Sequence, residues 1–326
     1  MKAITYDKYG SADVLEFRDI DKPDIEDNQV LVRVRAASVN PYDWHFMTGL
    51  PYFSRTQFGL RKPKAKGLGA DLAGRVEAVG ASVTRFDPGD EVLGEVVTGS
   101  LAEYVCVRED FAVAKPDNLT FEQAATVPMA GLTALQGLRD KGRMQPGNKV
   151  LINGASGGVG TYAVQIAKAF GAEVTGVCST RNVDLVRSIG ADHVVDYTEG
   201  DFTRSERRYD LILDLIGNHS PSSCRRVLNR KGVYVASFGQ VENLWLGPLA
   251  QLLRTLVLSL FVSQKMGTFV AKANTKDLLV LRELLEAGKI KPVIDRTYPL
   301  SETPEAIRYL AEGHARGKVV VTMAAD

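Results

Sequence analysis

Four glycines follow a short apolar run at residues 149–160, whose sequence is KVLINGASGGVG. Glycine lets the backbone approach a phosphate closely, and the free N–H groups at the start of a following helix attract its negative charge. Residues 158–170 have apolar side chains at helical spacing, so we predict a strand, a glycine loop and a helix in that order. This context favours a loop that binds the pyrophosphate of a dinucleotide over a tight turn without a ligand. The predicted contacts are Ser156, Gly157, Gly158, Val159 and Gly160.

The end of the next predicted strand, residues 173–178, indicates which dinucleotide is bound. NAD sites usually place Asp or Glu there, where the carboxylate accepts from the ribose hydroxyls. Here the strand is followed by Ser179, Thr180 and Arg181, with no acid at its end. Hydroxyls and a guanidinium suit a 2′-phosphate, which Arg can bind with two parallel hydrogen bonds, and Tyr197 could reach the same phosphate. NADPH is therefore favoured over NADH, although the two hydroxyls could also cap the helix that follows.

Several polar side chains that could act on a substrate follow the long second predicted strand. Asn40 could donate a hydrogen bond to a carbonyl oxygen or to a nicotinamide amide, and Thr133, expected to face this region, could do the same. His45 and Tyr52 are candidate proton donors, because both side chains carry exchangeable protons. A single histidine at such a place is more often structural, and Asp43 could simply cap a short helix that begins there.

The elements that must position these residues are of two kinds. Residues 1–120 favour short strands separated by glycine-rich turns, and in residues 29–40 Val30, Val32 and Val34 alternate with Arg33 and Arg35. From residue 121 onward, strands alternate with helices, which is typical of a parallel, doubly wound sheet. The predicted strands there are 149–152, 173–178, 194–195, 211–213 and 232–237, and the helices are 158–170, 182–189 and 221–228. Helices at 275–286 and 302–311 and a strand at 318–322 complete the chain.

The composition argues against several classes of function. With 326 residues, a formal net charge of +1 and 45% hydrophobic residues, the chain predicts about two domains and no nucleic-acid partner. The first residues contain no apolar signal segment, so we expect a cytoplasmic protein. Zinc prefers sulfur and nitrogen ligands, and the cysteines and histidines are too scattered for a typical metal site: Cys106, Cys178, Cys224, His45, His193, His219 and His314.

Two further segments have more than one interpretation. Residues 244–262 are strongly apolar, but Pro248, Gln251 and Arg254 interrupt them, so a membrane-spanning helix is disfavoured. A buried helix, a lid facing the substrate and a helix that docks on a membrane surface stay open. Residues 53–67 are basic and apolar by turns, which indicates a solvated loop or a second part of such a lid.

Taken together, five motifs resemble the medium-chain dehydrogenase/reductase superfamily, in particular its zinc-independent quinone oxidoreductase branch. They lie at residues 39–43, 69–74, 88–92, 130–134 and 153–160, so the resemblance covers essentially the whole chain. Residues 178–182 and 313–317 are similar to the group that includes reticulon-interacting mitochondrial reductases and chloroplast-envelope quinone oxidoreductase homologues. The zinc enzymes of the superfamily have Cys and His where this chain has Asn40 and Ala70, which disfavours a metal.

The resemblance also implies an architecture and a set of contacts. It implies an α/β fold with a doubly wound parallel Rossmann sheet at residues 121–268, and a GroES-like β-rich catalytic domain formed by residues 1–120 and 269–326. The implied nicotinamide contacts are Ile216, Gly217, Phe238 and Gly239, and the implied C-terminal contacts with the cofactor are His314, Ala315 and Arg316. Without the resemblance, residues 313–318 indicate only a helix C-cap with a basic tail.

The predicted activity is NADPH-dependent, zinc-independent transfer of hydride to a quinone or an α,β-unsaturated carbonyl. The alternatives are an enoyl-thioester reductase and a non-catalytic NADPH-binding sensor or structural protein. We expect a small lipophilic carbonyl or quinone substrate, no nucleic acid and, from the resemblance, a homodimer. The apolar stretch at residues 244–262 is compatible with peripheral membrane contact.

Overall fold

The computed structural model describes residues 1–237 and 263–324, and the chain packs into two units. The first comprises Met1–Met129, Ala273–Glu286 and Pro292–Asp326, and the second comprises Ala130–Lys272 and Ala287–Lys291. The main boundaries between the units thus lie after Met129 and Lys272, whereas the predicted ones lie after residues 120 and 268. Lys272 belongs to the second unit because its backbone exchanges two hydrogen bonds, of 2.8 and 3.0 Å, with the side-chain amide of Gln136.

The elements follow one another in an order close to the predicted one. The strands are β1 (Lys2–Thr5), β2 (Glu16–Asp19), β3 (Gln29–Val39), β4 (Asp71–Val79), β5 (Glu91–Glu95), β6 (Tyr104–Arg108), β7 (Ala112–Ala114), β8 (Lys149–Asn153), β9 (Glu173–Cys178), β10 (His193–Asp196), β11 (Tyr209–Asp214), β12 (Leu228–Ala236), β13 (Lys265–Thr268), β14 (Ile294–Pro299) and β15 (Lys318–Thr322). The helices are α1 (Pro41–Thr48), α2 (Arg55–Phe58), α3 (Phe121–Ala125), α4 (Pro128–Gln136), α5 (Gly158–Ala169), α6 (Val183–Ser188), α7 (Pro221–Arg226), α8 (Thr275–Glu286) and α9 (Thr303–Ala311).

The first unit is built on one large sheet. Within the described residues its strands run in the order β14-β15-β3-β4-β5-β7, and β6 also pairs with β3. The predicted alternation along β3 is confirmed, because Val30, Val32 and Val34 are at most 1% exposed whereas Arg33 and Arg35 are only half-buried.

The pairing of this sheet brings three polar residues together. Asp71, the first residue of β4, lies opposite Ser38 of β3 and opposite Glu95, the last residue of β5. Directly opposed side chains on one face lie close enough to interact. The strand pairing therefore forms a polar site in which Ser38 and Asp71 are fully buried.

The second unit is built on a parallel sheet in the order β10-β9-β8-β11-β12-β13. If β8 is numbered as the first strand of this unit, the spatial order is 3-2-1-4-5-6, which is the order of a dinucleotide-binding fold. The predicted doubly wound sheet is therefore confirmed. The order reverses between β8 and β11. In such sheets the ligand binds at the carboxyl ends of the strands on either side of that reversal.

The buried helix, lid or membrane-docking helix that the sequence left open concerns an apolar stretch that the structure does not describe. Residues 244–262, and with them Phe238 and Gly239, lie outside the described residues. Among residues 1–237 and 263–324, no helix is both long enough and apolar enough to cross a membrane.

Candidate functional site

The glycine loop connects β8 to α5, as predicted. Gly154 has a φ of 87°, a conformation that other residues rarely adopt. A Cβ on Gly160 would lie 2.0 Å from the carbonyl oxygen of Gly154, so only glycine fits where the helix crosses the loop. Gly157 is the N-cap of α5 and offers no side chain to cap it. The N–H groups of the first turn, at Gly158 and Val159, are therefore available to an anion.

The ends of β8 and β11 are joined by a buried hydrogen-bond network. Asn153 and Asp214 are opposite one another in register, and Asn153 Nδ2 donates to Asp214 Oδ1 at 2.9 Å. The same carboxylate oxygen accepts from the backbone N–H groups of Ile216 and Gly217, at 3.1 and 2.9 Å. Tyr234 donates to the other oxygen at 2.8 Å. Asp214 thus fixes the loop that carries two of the residues predicted to contact the nicotinamide half.

Two serines of the predicted cofactor site are brought together by Asn182. Its Nδ2 donates to Ser156 Oγ and to Ser179 Oγ, both at 3.1 Å. Each serine oxygen uses a lone pair in that contact, so each hydroxyl proton is free to point at a phosphate. Ser179 makes no capping hydrogen bond to the helical turn after it, in contrast to the alternative raised from the sequence. Asn182 is 5% exposed, and its Oδ1 is buried without a hydrogen-bond partner in the described chain.

We predict that Asn182→Ala weakens NADPH binding about tenfold and lowers the free energy of unfolding by about 1–2 kcal/mol. The substitution releases the hydroxyls of Ser156 and Ser179 from a fixed orientation. Asn229→Ala is a matched control, because Asn229 Nδ2 makes one hydrogen bond of 2.7 Å with Asp210 at another place in the same unit. Fluorescence titration with NADPH and urea unfolding measure the two effects. Equal affinities for Asn182→Ala and Asn229→Ala would contradict the proposed role.

The predicted 2′-phosphate side is formed by the loops after β9 and β10. Arg181 and Tyr197 are both exposed there. The pairing of Cys178 with Asp196 sets the starts of these loops side by side. Asp196 was not considered from the sequence, because it ends the neighbouring strand and not β9. A hydrogen bond from the Thr180 hydroxyl holds the pKa of Asp196 below its usual range, so this carboxylate is ionised close to the predicted site.

A polar cluster in the first unit is centred on Asp71, which is fully buried. Its Oδ2 accepts from Ser38 Oγ at 2.9 Å, from Asn40 Nδ2 at 3.0 Å and from Lys318 Nζ at 3.3 Å. Its Oδ1 accepts from the backbone N–H of Met129 at 2.9 Å. These donors stabilise the carboxylate form, and Lys318 balances its charge.

The side-chain amide nitrogen of Asn40 makes both of its hydrogen bonds within the protein. It donates to Asp71 and to the carbonyl oxygen of Ser38 at 3.3 Å, and the amide oxygen accepts from Lys318 Nζ. A hydrogen bond from Asn40 to a substrate would therefore have to replace one of these contacts. The geometry supports a positioning role more directly than the predicted role as a donor.

The short helix α1 begins at Pro41, two residues before the predicted start. Asn40 is the N-cap, and Asp43 is the third helical residue, whose carboxylate accepts from the N–H of Asn40 at 2.7 Å. Asp43 thus caps the helix from within its first turn. Burial raises the pKa of Asp43 to about 7.

The remaining predicted catalytic residues lie at three different places. His45 lies on α1, where its Nδ1 contacts the carbonyl oxygen of Leu50 at 2.7 Å. Because a carbonyl oxygen can only accept, Nδ1 is the donor in this contact. Tyr52 is half-buried, and the guanidinium carbon of Arg55 lies 4.8 Å from the centre of the Tyr52 ring. Thr133 is 8% exposed on α4 and belongs to the second unit.

The C-terminal residues predicted to contact the cofactor follow α9. Gly313 has a φ of 72°, as expected for a glycine that ends a helix. His314 and Arg316 are exposed and Ala315 is half-buried. The N–H of Arg316 donates to Asp295 at 2.8 Å, which holds this turn against the start of β14. The helix C-cap predicted for this run is present, and a role in cofactor binding stays a prediction.

Some members of the superfamily that the sequence resembles bind zinc, so groups of possible metal ligands are of particular interest. Across residues 1–237 and 263–324, no group of three or more His, Cys, Asp or Glu side chains is placed to hold a metal ion. Ala70, which stands where the resemblance expects a zinc ligand, is fully buried beside Asp71.

Comparison with known proteins identifies the family. Residues 26–117 match the alcohol dehydrogenase GroES-like domain, and residues 189–321 match the family described as zinc-binding dehydrogenase. The mitochondrial NAD(P)H oxidoreductase RTN4IP1 of Mus musculus is 38% identical, over 99% of this chain and 89% of that protein. The chain belongs to the medium-chain dehydrogenase/reductase superfamily. The resemblance inferred from the motifs is therefore confirmed.

Two further similarities cover nearly the whole chain. The chloroplastic NADPH-dependent alkenal/one oxidoreductase of Arabidopsis thaliana is 36% identical, over 98% of this chain and 79% of that protein. The solved structure of the quinone oxidoreductase from Coxiella burnetii superposes with a TM-score of 0.87 at 31% identity, covering 99% of both chains. The predicted combination of a Rossmann sheet with a GroES-like domain is thus confirmed by both fold and family.

Proposed function

We propose that this chain is an NADPH-dependent, zinc-independent reductase that transfers hydride to a quinone or to an α,β-unsaturated carbonyl. The observation that carries the cofactor choice is the pair of hydroxyls, Ser156 and Ser179, that Asn182 holds at the acid-free end of β9. The names of the relatives support the same class of reaction: an NAD(P)H oxidoreductase, an NADPH-dependent alkenal/one oxidoreductase and a quinone oxidoreductase.

The residues of the second unit fit a dinucleotide. The glycine loop leaves no room for a Cβ at Gly160, and the first turn of α5 offers backbone N–H groups. Gly157, Gly158, Val159 and Ser156 would hold the pyrophosphate, and Ser179, Arg181 and Tyr197 would hold the 2′-phosphate. Ile216 and Gly217 would border the nicotinamide half. When bound, the cofactor supplies hydride, and the protein supplies orientation and a site from which water is excluded.

Arg181→Ala should weaken the binding of NADPH about 10–100-fold, because a charge-assisted hydrogen bond to a phosphate contributes about 1.5–3 kcal/mol. NADH lacks the 2′-phosphate, so its affinity should change by less than about threefold. Arg187→Ala is the matched control, since Arg187 is also exposed and lies on α6, six residues after Arg181. Titrations with both nucleotides measure the effect. Equal losses for NADPH and NADH would contradict the 2′-phosphate assignment.

The reaction itself is tested by following NADPH absorbance across quinones, enones, enals and enoyl thioesters, with and without a chelator. We expect oxidation of NADPH by quinones or enones, unaffected by the chelator. Preference for enoyl thioesters would favour the alternative reductase. Tight NADPH binding without turnover of any acceptor would favour the non-catalytic protein.

Three further properties belong to the same proposal. We expect a homodimer, for which light scattering provides the mass, and a cytoplasmic location, for which fractionation of the source cells is the measurement. Peripheral membrane contact through residues 244–262 would appear as sedimentation with lipid vesicles. A monomeric mass, recovery in another compartment or absence from the vesicle pellet would contradict the corresponding expectation.

A further inference from the structure

A cleft of about 450 Å³ lies entirely within the second unit. The residues that line it are three arginines and two residues with hydroxyl groups: Thr203, Arg204, Ser205, Arg208 and Arg226. Its volume is within the range of about 300–1,000 Å³ that is usual for small-molecule sites. The lining residues that the structure describes include no carboxylate, so positive charge dominates the cleft.

The fold brings Arg208 and Arg226 to this cleft from two segments that are joined to one another. Arg208 directly precedes β11, and Arg226 is the last residue of α7. The backbone N–H of Tyr209, the next residue after Arg208, donates to the carbonyl oxygen of Val227, the next residue after Arg226, at 2.8 Å. Tyr209 and Val227 are also packed in one buried apolar cluster, with exposures of 1% each. The backbone that carries both arginines is therefore held in place.

These two guanidinium groups have no carboxylate partner within the described residues. Arg208 Nη1 donates to the backbone carbonyl oxygens of Ser205 and Glu206, both at 3.0 Å. Such contacts orient the side chain but leave its positive charge uncompensated. Arg226 is exposed at the end of α7. Both groups therefore have N–H donors and a full charge to offer to an anion.

The other polar groups of the cleft are partly occupied. Arg204 forms an ion pair with Asp201 at 3.5 Å, and its side chain is 83% exposed. The hydroxyl of Thr203 donates to the same aspartate at 2.8 Å. Ser205 Oγ accepts from the backbone N–H of Arg207 at 3.1 Å, so its own proton is left to donate to a ligand. The cleft thus combines two uncompensated cations with a third that is shared and with one hydroxyl donor.

The cleft lies at the opposite end of the parallel sheet from the proposed cofactor site. Arg208 precedes the first residue of β11, whereas Asp214, which holds the loop of Ile216 and Gly217, is the last residue of that strand. A strand of six residues separates its two ends by about 17 Å. A dinucleotide at the carboxyl ends of β8 and β11 therefore leaves this cleft accessible.

We propose that the cleft binds a small dissolved ligand that carries at least two phosphate groups. The planar fork of a guanidinium group matches two oxygens of a phosphate, and two uncompensated arginines balance at least two negative charges. The described lining contains no aromatic ring on which a base could stack and no large apolar side chain that could enter a bilayer. A ligand that is polar throughout, such as inorganic diphosphate or a sugar bisphosphate, has the matching chemistry.

Titration calorimetry with inorganic diphosphate tests the assignment of the two arginines. Arg208→Ala and Arg226→Ala should each weaken binding about tenfold, and the double variant at least 100-fold. Arg225→Ala is the matched control, because Arg225 is the neighbouring exposed residue of α7 and is not among the lining residues. It should change the affinity less than about threefold. Equal losses for Arg225→Ala and Arg226→Ala, or no binding by wild type, would overturn the proposal.

Diphosphate bound at the glycine loop is distinguished by a variant of that loop. Gly157→Ala places a methyl group at the proposed pyrophosphate site, where a Cβ has its nearest contact at 3.5 Å. Diphosphate binding at the cleft should be unchanged in this variant. Binding that Gly157→Ala abolishes and that Arg208→Ala/Arg226→Ala leaves unchanged would place the ligand at the loop and overturn the proposal.

Chemical modification locates the ligand without any substitution. Phenylglyoxal reacts with accessible guanidinium groups, and mass spectrometry of the digested protein identifies the modified residues. Diphosphate should protect Arg208 and Arg226 from modification and should leave the modification of Arg225 unchanged. The same protection at all three arginines, or at none, would contradict a site in this cleft.

A phosphorylated lipid headgroup offers the same chemistry as a dissolved ligand, so vesicles complete the test. Vesicles of phosphatidylcholine are compared with and without phosphatidylinositol bisphosphate. Wild type and Arg208→Ala/Arg226→Ala should sediment with either kind of vesicle to the same extent. Sedimentation that requires the phosphorylated lipid and that the double variant loses would assign the cleft to a membrane surface and overturn the proposal.

Discussion

Gly160→Ala is expected to reduce the affinity for NADPH by at least 100-fold, or about 2.8 kcal/mol. The added Cβ would lie 2.0 Å from the carbonyl oxygen of Gly154 and 2.8 Å from the Cα of Ala155. Both are backbone atoms of the glycine loop, so they cannot move aside as a flexible side chain could. The start of α5 must shift away from the loop, and the N–H groups of its first turn no longer converge on the pyrophosphate.

Two other glycines separate this effect from a general loss of stability. Gly157→Ala places a Cβ 3.5 Å from the Gly154 oxygen at a φ of −80°, so the fold should be kept while a methyl group enters the proposed phosphate site. Gly200→Ala has nothing within 4 Å and should change neither folding nor binding. Titration calorimetry with NADPH, together with thermal unfolding, distinguishes the three variants. Wild-type affinity in Gly160→Ala would contradict the proposed location of the pyrophosphate.

Lys318→Met is expected to lower the free energy of unfolding by about 3–5 kcal/mol, the usual cost of removing one partner of a buried ion pair. The side chain of Lys318 is 4% exposed and that of its partner Asp71 is fully buried, with 3.3 Å between nitrogen and oxygen. Methionine keeps the length of the side chain but leaves the carboxylate without a counter-charge. The amide oxygen of Asn40 also loses the hydrogen bond that it accepts from Lys318.

Urea unfolding at neutral pH measures this loss, with Lys231→Met, at an exposed position, as the control. The double variant Lys318→Met/Asp71→Asn removes both charges and should recover part of the lost stability, because the uncompensated carboxylate is gone. Stability of Lys318→Met within about 0.5 kcal/mol of wild type would show that Asp71 does not depend on this lysine.

Much of the second unit could be predicted because its signals are local. Apolar runs and glycines predicted β8, the loop and α5 nearly to the residue, and β9 was predicted with its observed bounds. In the first unit, the alternation of apolar and charged residues along β3 correctly predicted which face of that strand is buried. These patterns depend only on neighbouring residues, so a single sequence is sufficient to recognise them.

The networks that position the candidate sites could not be predicted in the same way. Asn153 and Asp214 are 61 residues apart, and Lys318 lies 247 residues from Asp71. Only the strand pairing brings the two members of each pair together. The start of α1 is a different case, since Asn40 followed by Pro41 is a recognisable helix start that could have been found.

We propose that this protein transfers hydride from NADPH to a carbon acceptor. The direct measurement is mass spectrometry of the product after an enone is reduced with NADPH that carries deuterium in the transferable position of the nicotinamide ring. We expect one deuterium, at the β-carbon, for each NADPH oxidised, and less incorporation when labelled NADH is supplied at the same concentration. A product without deuterium, or no reduced product from any enone or quinone, would contradict it.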